Sequence, residues 1–165
     1  MIRRRALPGL ALAGAGAFRF GAKAQATQPG EDGFYHESWF LEGFLDLPDD
    51  LAEATAAGRV LAVVWELRGC APCAEMHRVT LADPAVIAFL RAHAVVVQLD
   101  ILGSRPVAFP DGARLPEKAQ AARQRVAGTP TLQLFNPDGT ERARLQGFVR
   151  PEPFLAFFRA HAARG

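Results

Sequence analysis

Cys70 and Cys73 are the only thiols in this 165-residue sequence, and they stand together in ELRGCAPCAEMH, Glu66 to His77. Thiols this close can bond to each other, share a metal, or exchange electrons with another molecule; they cannot staple distant parts of a fold. Cys70 falls where an apolar run ends and helix-forming residues begin. Its sulfur is therefore expected at a helix N-terminus, beside unpaired backbone N–H groups and the positive end of the helix dipole. That setting favours the thiolate and draws a thiol pKa from roughly 8.5 toward 7. Cys70 is thus the expected nucleophile. Cys73, one turn on, is the expected resolving thiol that attacks a mixed disulfide.

The surrounding pattern supplies the frame. Val60 to Leu67 (VLAVVWEL) and Ala94 to Ile101 (AVVVQLDI) are near-continuous apolar runs, as in strands buried on both faces. Between them Pro72 suits a first helical turn, helix formers continue from Ala74 to Val79, and Asp83-Pro84 reads as an N-cap restarting a helix to His93. Before them Asp49-Asp50 caps a short helix from Leu51 to Ala57 that ends at Gly58. Leu102 to Leu115 reads as a long loop, and Pro116 to Val126 as a helix. Thr131 to Phe135 and Glu141 to Gln146 read as a hairpin turning at Asn136-Pro137-Asp138-Gly139. Pro151 to Ala163 closes the chain as an amphipathic helix with Phe154, Leu155, Phe157 and Phe158 inward, and Trp65, Phe89, Phe135 and Phe148 read as core. The order β-α-β-α-β-β-α predicts a mixed four-stranded sheet with helices on both faces, its crossovers parallel and its hairpin an antiparallel edge. In Gly128-Thr129-Pro130-Thr131 a proline opens a strand, where it removes no needed donor, and a cis peptide is expected.

Charge is divided unevenly. Residues 1–26 hold five basic residues (Arg3, Arg4, Arg5, Arg19, Lys23) and no acid, leaving 14 basic and 17 acidic residues in the remainder, a net charge of −3. The basicity belongs to the leader, so composition gives no support to nucleic-acid binding. Arg3 to Arg5, the apolar stretch from Ala6 to Phe18 and the small-x-small site Ala24-Gln25-Ala26 read as an export signal over residues 1–26. Its paired arginines resemble a twin-arginine signal; Pro8 departs from that motif and keeps the Sec route open. Thirteen apolar residues are too few to span a bilayer, so cleavage after Ala26 is expected to release a protein without a stable anchor into an oxidising compartment, the periplasm. Residues 27–38 read as a flexible start to the mature chain. From Glu31 to Glu53 eight acids and no Lys or Arg alternate with aromatics, which reads as an extension packed on the surface with an acidic outer face.

GCAPC followed by GTPT resembles the thioredoxin superfamily. The finer set of WELRGCAPCAEMH, TLADPAV, VVVQLDI, FPDG and GTPTLQLFNPDG is similar to periplasmic thioredoxins of the SoxW type, and more distantly to the thiol-reducing domain of DsbD. The resemblance implies a thioredoxin fold over residues 39–163 that exchanges disulfides with periplasmic proteins. Gly128, Thr129, Pro130, Ala71 and Pro72 would then contact substrate, the backbone around Thr129 pairing with the substrate chain beside Cys70. Thioredoxin has Trp where this chain has Gly69, and a buried proton-relay Asp where it has Val64. Glu66, two residues on and on the same strand face, is the candidate to take the proton from Cys73. Ala71-Pro72 lacks the cation that oxidising relatives place between their cysteines, which favours a reductase over an oxidase or isomerase. Oxidised periplasmic proteins would be its substrates, a membrane thiol reductase its electron donor, and the Cys70–Cys73 pair its only redox group, with no cofactor.

One alternative comes from another class. His77 lies seven residues after Cys70 and four after Cys73, so the three could share a helix face and form a Cys2His copper or zinc site. Pro72 and Pro130 crowding the sulfurs, and the lack of a second His or a Met cluster to complete the shell, argue against it, and His77 reads otherwise as an ordinary helix residue. Haem attachment is excluded because Ala74 stands where the required His would be.

Overall fold

A computed structural model describes residues 28–162, and the leader over residues 1–26 lies outside them. The chain runs α1 (Leu47–Ala56), β1 (Val60–Glu66), α2 (Ala71–Glu75), a π-helical turn (Met76–Thr80), α3 (Pro84–His93), β2 (Ala94–Asp100), β3 (Pro106–Ala108), β4 (Arg114–Pro116), α4 (Glu117–Arg123), β5 (Thr131–Phe135), β6 (Glu141–Gln146) and α5 (Pro151–Ala162). The main sheet has the order β2-β1-β5-β6, and β3 and β4 form a separate two-stranded sheet.

β1 lies at the centre, and all seven of its residues are buried. Its alternating side chains serve two cores. Val60, Ala62 and Val64 face α3 and α5 through Val86, Leu90, Phe154 and Phe158. Leu61, Val63 and Trp65 face α1 and the β3 hairpin through Leu47, Leu51, Ala54, Val107 and Phe109. Helices therefore cover both faces of the sheet, as its apolar runs predict. Each large side chain so buried contributes roughly 1.5–3 kcal/mol. Trp65 keeps its indole N–H satisfied by donating to Gln133 Oε1 at 2.9 Å.

Among the described strands of the main sheet, β1 and β2 pair in parallel, with Val60 opposite Ala94 and Glu66 opposite Asp100. Against the expectation that both crossovers give parallel strands, β5 pairs antiparallel to β1, Trp65 opposite Thr131. The segment from β3 through α4 brings the chain back to the end of the sheet at which β1 and β2 finish, so β5 must run the other way. Its first residues therefore emerge beside the last residues of β1.

Three local expectations change. α1 begins four residues early, with Asp46 at its N-cap and Pro48 in its first turn, so Asp49 and Asp50 lie inside the helix. The span from Leu102 to Leu115 is not loop throughout: Val107 and Phe109 are fully buried, and their hairpin bonds to the N-terminal segment through Ala108 N–H and Leu45 O at 2.9 Å. The α-helix expected through Val79 gives way after Glu75 to a π turn, in which Leu81 N–H reaches back five residues to Met76 O at 2.8 Å.

Asp50 carries a strain of charge. Burial first, then the charges of Glu53, Asp46 and Asp49, raise its pKa to about 6. A carboxylate raised above its unfolded value of roughly 3.9 stabilises the fold only while protonated, so the stability is lost as pH rises through about 6. Asp50→Asn is expected to raise Tm at pH 7 and to lose that advantage near pH 4. An equal gain at both pH values would assign the effect to something other than charge.

Candidate active site

Cys70 is the N-cap of α2, and its Sγ accepts from Cys73 N–H at 3.1 Å. Gly69 before it has φ +70°, with open space where a Cβ would lie. The left-handed conformation that turns the chain from β1 into α2 thus favours glycine where thioredoxin has Trp. Cys70 is half-buried and Cys73 buried, and the two are joined as a disulfide. The half-buried sulfur is the one a partner can reach. Ala71 and Pro72 are exposed on the rim.

The antiparallel entry of β5 delivers the second half of the site. Thr129–Pro130 is cis. Thr129 Oγ1 donates to Cys70 Sγ at 3.2 Å, and Thr129 O lies 3.6 Å from the same sulfur. Gly128 is exposed and Pro130 buried, and Thr131 Oγ1 fixes the turn by donating to Gly128 O at 2.7 Å. A hydroxyl and a helix N-terminus both aimed at Cys70 Sγ stabilise negative charge there, as a nucleophilic thiolate requires.

Beneath the sulfurs lies a cluster that sequence reading reached only in part. Glu66 ends the strand face begun by Val60, Ala62 and Val64, and it is 1% exposed. Val64, at the thioredoxin Asp position, is ordinary core. Glu66 Oε1 bonds His77 Nε2 at 2.8 Å, and Gln98 Nε2 donates to Glu66 Oε2. On its other side His77 Nδ1 bonds Glu37 Oε1 at 2.9 Å. Tyr35 stacks on the imidazole with ring centroids 5.0 Å apart.

Two expectations are corrected by this geometry. Glu37 is not on an acidic outer face but 3% exposed, and Phe34 is also buried, so part of the segment expected to be a flexible start packs against the rest of the fold, ahead of the expected domain start at Trp39. His77 is neither a third ligand beside the cysteines nor an ordinary helix residue. Both ring nitrogens are engaged by carboxylates, which leaves none to share a metal with Cys70 and Cys73. Among the described residues no group of three His, Cys, Asp or Glu side chains is arranged to hold a metal ion. One signal pointed here: Gln98 is a polar residue inside an otherwise apolar strand.

Glu66, Cys70 and Cys73 line one cleft of about 160 Å³, whose opposite wall is Pro29, Gly33, Phe34 and Tyr35 of the N-terminal segment. A helix-capping cysteine, a buried partner cysteine, a cis-proline turn against the first sulfur and a buried carboxylate in the same cleft define a thioredoxin-fold protein with a Cys-x-x-Cys active-site disulfide.

Comparison with known proteins gives the family. The thioredoxin-like domain family matches residues 47–162, and the chain belongs to it. It is 30% identical over 138 residues to the thiol:disulfide interchange protein DsbD of Vibrio vulnificus, covering 82% of this chain and 21% of that protein. Against DsbD of Ralstonia nicotianae it is 32% identical over 115 residues, covering 69% and 17%. The chain thus spans about a fifth of these relatives. Among solved structures, a thioredoxin from Thermus thermophilus superposes with TM-score 0.54 at 31% identity, covering 70% of this chain and 82% of that one. The oxidised C-terminal domain of Neisseria meningitidis DsbD superposes with TM-score 0.52, covering 70% and 92%; at 19% identity it bears on the fold alone.

Burial works to lower the His77 pKa, but the hydrogen bonds from Glu37 and Glu66 and their charges outweigh it and raise the pKa from 6.5 to about 9. A raised histidine contributes stability that is complete below the unfolded pKa and lost as pH climbs through the folded one. The pH-dependent part, at most about 3 kcal/mol, is expected to disappear between pH 6.5 and 9. His77→Gln should flatten that alkaline limb of Tm against pH. A limb of unchanged slope would show that His77 is not the group titrating.

Proposed function

We propose that this protein is an exported protein-disulfide reductase. The observation that carries the reading is Cys70 Sγ, half-buried at a helix N-terminus and facing the Thr129 hydroxyl, with Cys73 buried one turn away. Cys70 thiolate attacks one sulfur of a partner disulfide and the other sulfur leaves as a thiolate that takes a proton from water, while the backbone around Thr129 pairs with the partner chain in the resulting mixed disulfide. Cys73 then gives its proton to Glu66 and attacks Cys70 Sγ. The Cys70–Cys73 bond forms as the bond to the partner breaks, and the partner sulfur leaves as a thiolate that is protonated from water. Two electrons pass from the dithiol to the partner.

The direction rests on Ala71-Pro72, which places no cation between the cysteines to hold the reduced form. The partners in this reading are oxidised proteins of the periplasm, with electrons supplied by a membrane thiol reductase. The leader motifs support export by a twin-arginine or Sec route, and the likeness of the motif set to SoxW-type thioredoxins supports a periplasmic thioredoxin. DsbD relatives, named for thiol:disulfide interchange, support exchange with protein partners. No helix among the described residues is long and apolar enough to cross a membrane.

Two experiments test the roles. The purified protein should reduce insulin disulfides when given a dithiol donor. Cys70→Ser should abolish this activity, and Cys73→Ser should accumulate a mixed disulfide through Cys70. Faster alkylation of Cys73 than of Cys70 at neutral pH would reverse the assignment. Glu66→Gln, nearly isosteric, should slow resolution about 100-fold, at the low end of general acid–base effects, and leave the first attack by Cys70 unchanged. An unaltered resolution rate would remove Glu66 from the mechanism.

A further inference from the structure

The Glu66 carboxylate accounts for where the proton of Cys73 goes first, but not for how it leaves. In the mixed disulfide a protein partner sits over Cys70 and Thr129 and shields the active-site cleft from water. Glu66 is itself 1% exposed, so a proton arriving there needs an internal route.

Glu66 is held on one oxygen by His77 and on the other by Gln98. His77 joins Glu66 to Glu37 through opposite ring nitrogens, at 2.8 and 2.9 Å. Protonated at both nitrogens, the ring can release a proton toward Glu37 when the Glu66 carboxylate on its other side is neutralised. The Tyr35 ring stacks on the imidazole, and the Phe40 ring lies tilted beside it with centroids 6.0 Å apart. Glu37, itself 3% exposed, borders a different cleft. It lines a second cleft of about 240 Å³ with His36, Phe40, Glu42, Gln98 and Arg105. That cleft does not include Cys70, Cys73 or Thr129. The three buried side chains therefore connect two separate openings.

We propose that Glu66, His77 and Glu37 form a proton path from Cys73 to the second cleft, so that resolution proceeds while a partner covers the active site. The proposal rests on the reading of Glu66 as first acceptor. Cys73 transfers its proton to Glu66. The His77 imidazolium, bonded to Glu66 through Nε2 and to Glu37 through Nδ1, gives its Nδ1 proton to Glu37, which passes it to the second cleft; the ring keeps Nε2–H, and its lost charge offsets the charge neutralised on Glu66. One proton enters and one leaves, and the triad returns to its starting charge. The titratable or charged groups facing the path are Glu66 on β1, His77 on the π turn, Tyr35, His36, Glu37 and Glu42 on the N-terminal segment, and Arg105 before β3; His36 is itself paired with Asp32 at 2.9 Å and Arg105 with Glu117 at 2.5 Å. Glu37 and His77 act through Glu66 and are positioning residues in this scheme.

The test compares two partners of different size. Resolution of the Cys70 mixed disulfide is timed by stopped flow for insulin, which covers the cleft, and for 2-hydroxyethyl disulfide, which leaves it open to water. Glu37→Gln keeps an oxygen to accept from His77 Nδ1 but cannot take up a proton. It is expected to slow resolution with insulin roughly tenfold, to change the small-molecule rate less than twofold, and to leave Cys70 alkylation at the wild-type rate. Equal slowing with both partners would make Glu37 a merely structural support and overturn the path, as would no slowing with either. Should Glu37→Gln not fold, Glu37→Asp retains the carboxylate and should show a smaller slowing confined to insulin; its absence overturns the proposal equally. A Glu66→Gln protein slowed with both partners beside a Glu37→Gln protein slowed with neither would sink the path alone. Glu66→Gln without effect on either would sink the underlying reading.

Discussion

A carboxylate buried at the end of a fully buried strand is the constraint from which the rest of this site follows. β1 has no exposed residue, and Glu66, 1% exposed, sits at its last position on the floor of the active-site cleft. An unpaired charge in such a place costs several kcal/mol, so the fold must bring partners to it. Gln98 comes from the neighbouring strand, two residues from Asp100, which faces Glu66 in the ladder. His77 comes from the segment after the cysteines, where the helix loosens into a π turn; such turns recur at functional sites. His77 then needs compensation itself, and Glu37 is drawn in from 40 residues away. The N-terminal segment is held over the active-site cleft by that contact. A buried cluster of this kind is a weak source of net stability, so its presence under a redox disulfide is better accounted for by the chemistry above it.

Much of this was legible in the sequence, and for identifiable reasons. Thr131–Phe135 and Glu141–Gln146 lie where alternation and an Asn-Pro-Asp-Gly turn put them, because hairpins are governed by local rules. Asp83 caps α3 through its side chain, accepting from Ala85 and Val86 N–H, and Pro84 follows it, as the residue types require. Cys70, Thr129 and Pro130 meet, as the joint occurrence of the two motifs implies. What the sequence did not show was non-local. Nothing in the spacing of Glu37 distinguishes it from the seven other acids between Glu31 and Glu53. Its burial is decided by His77, and the orientation of His77 is decided by a change of helical register that has no proline or glycine to announce it. The strand direction of β5 was hidden for a similar reason: β3 and β4 are three-residue strands between prolines, too short to give a period.

The position of the acid bears on how the site works. Val64 lies among the apolar core residues of α3 and α5. The acid, two residues along the same face at position 66, leaves the apolar core and reaches the rim, where the N-terminal segment and the π turn can contact it. That shift lengthens one buried acid into a chain of three groups. It also explains why residues 28–41 belong to the domain in energetic terms although their composition reads as an appendage. Phe34 and Tyr35 wall the active-site cleft, Glu37 satisfies His77, and Leu41 N–H bonds Val96 O at 2.7 Å on the edge strand β2. A segment that closes a sheet edge, shapes the cleft and supplies a charge to its floor is tied to the redox centre at three points, so displacement of any one is felt by the carboxylate beside Cys73.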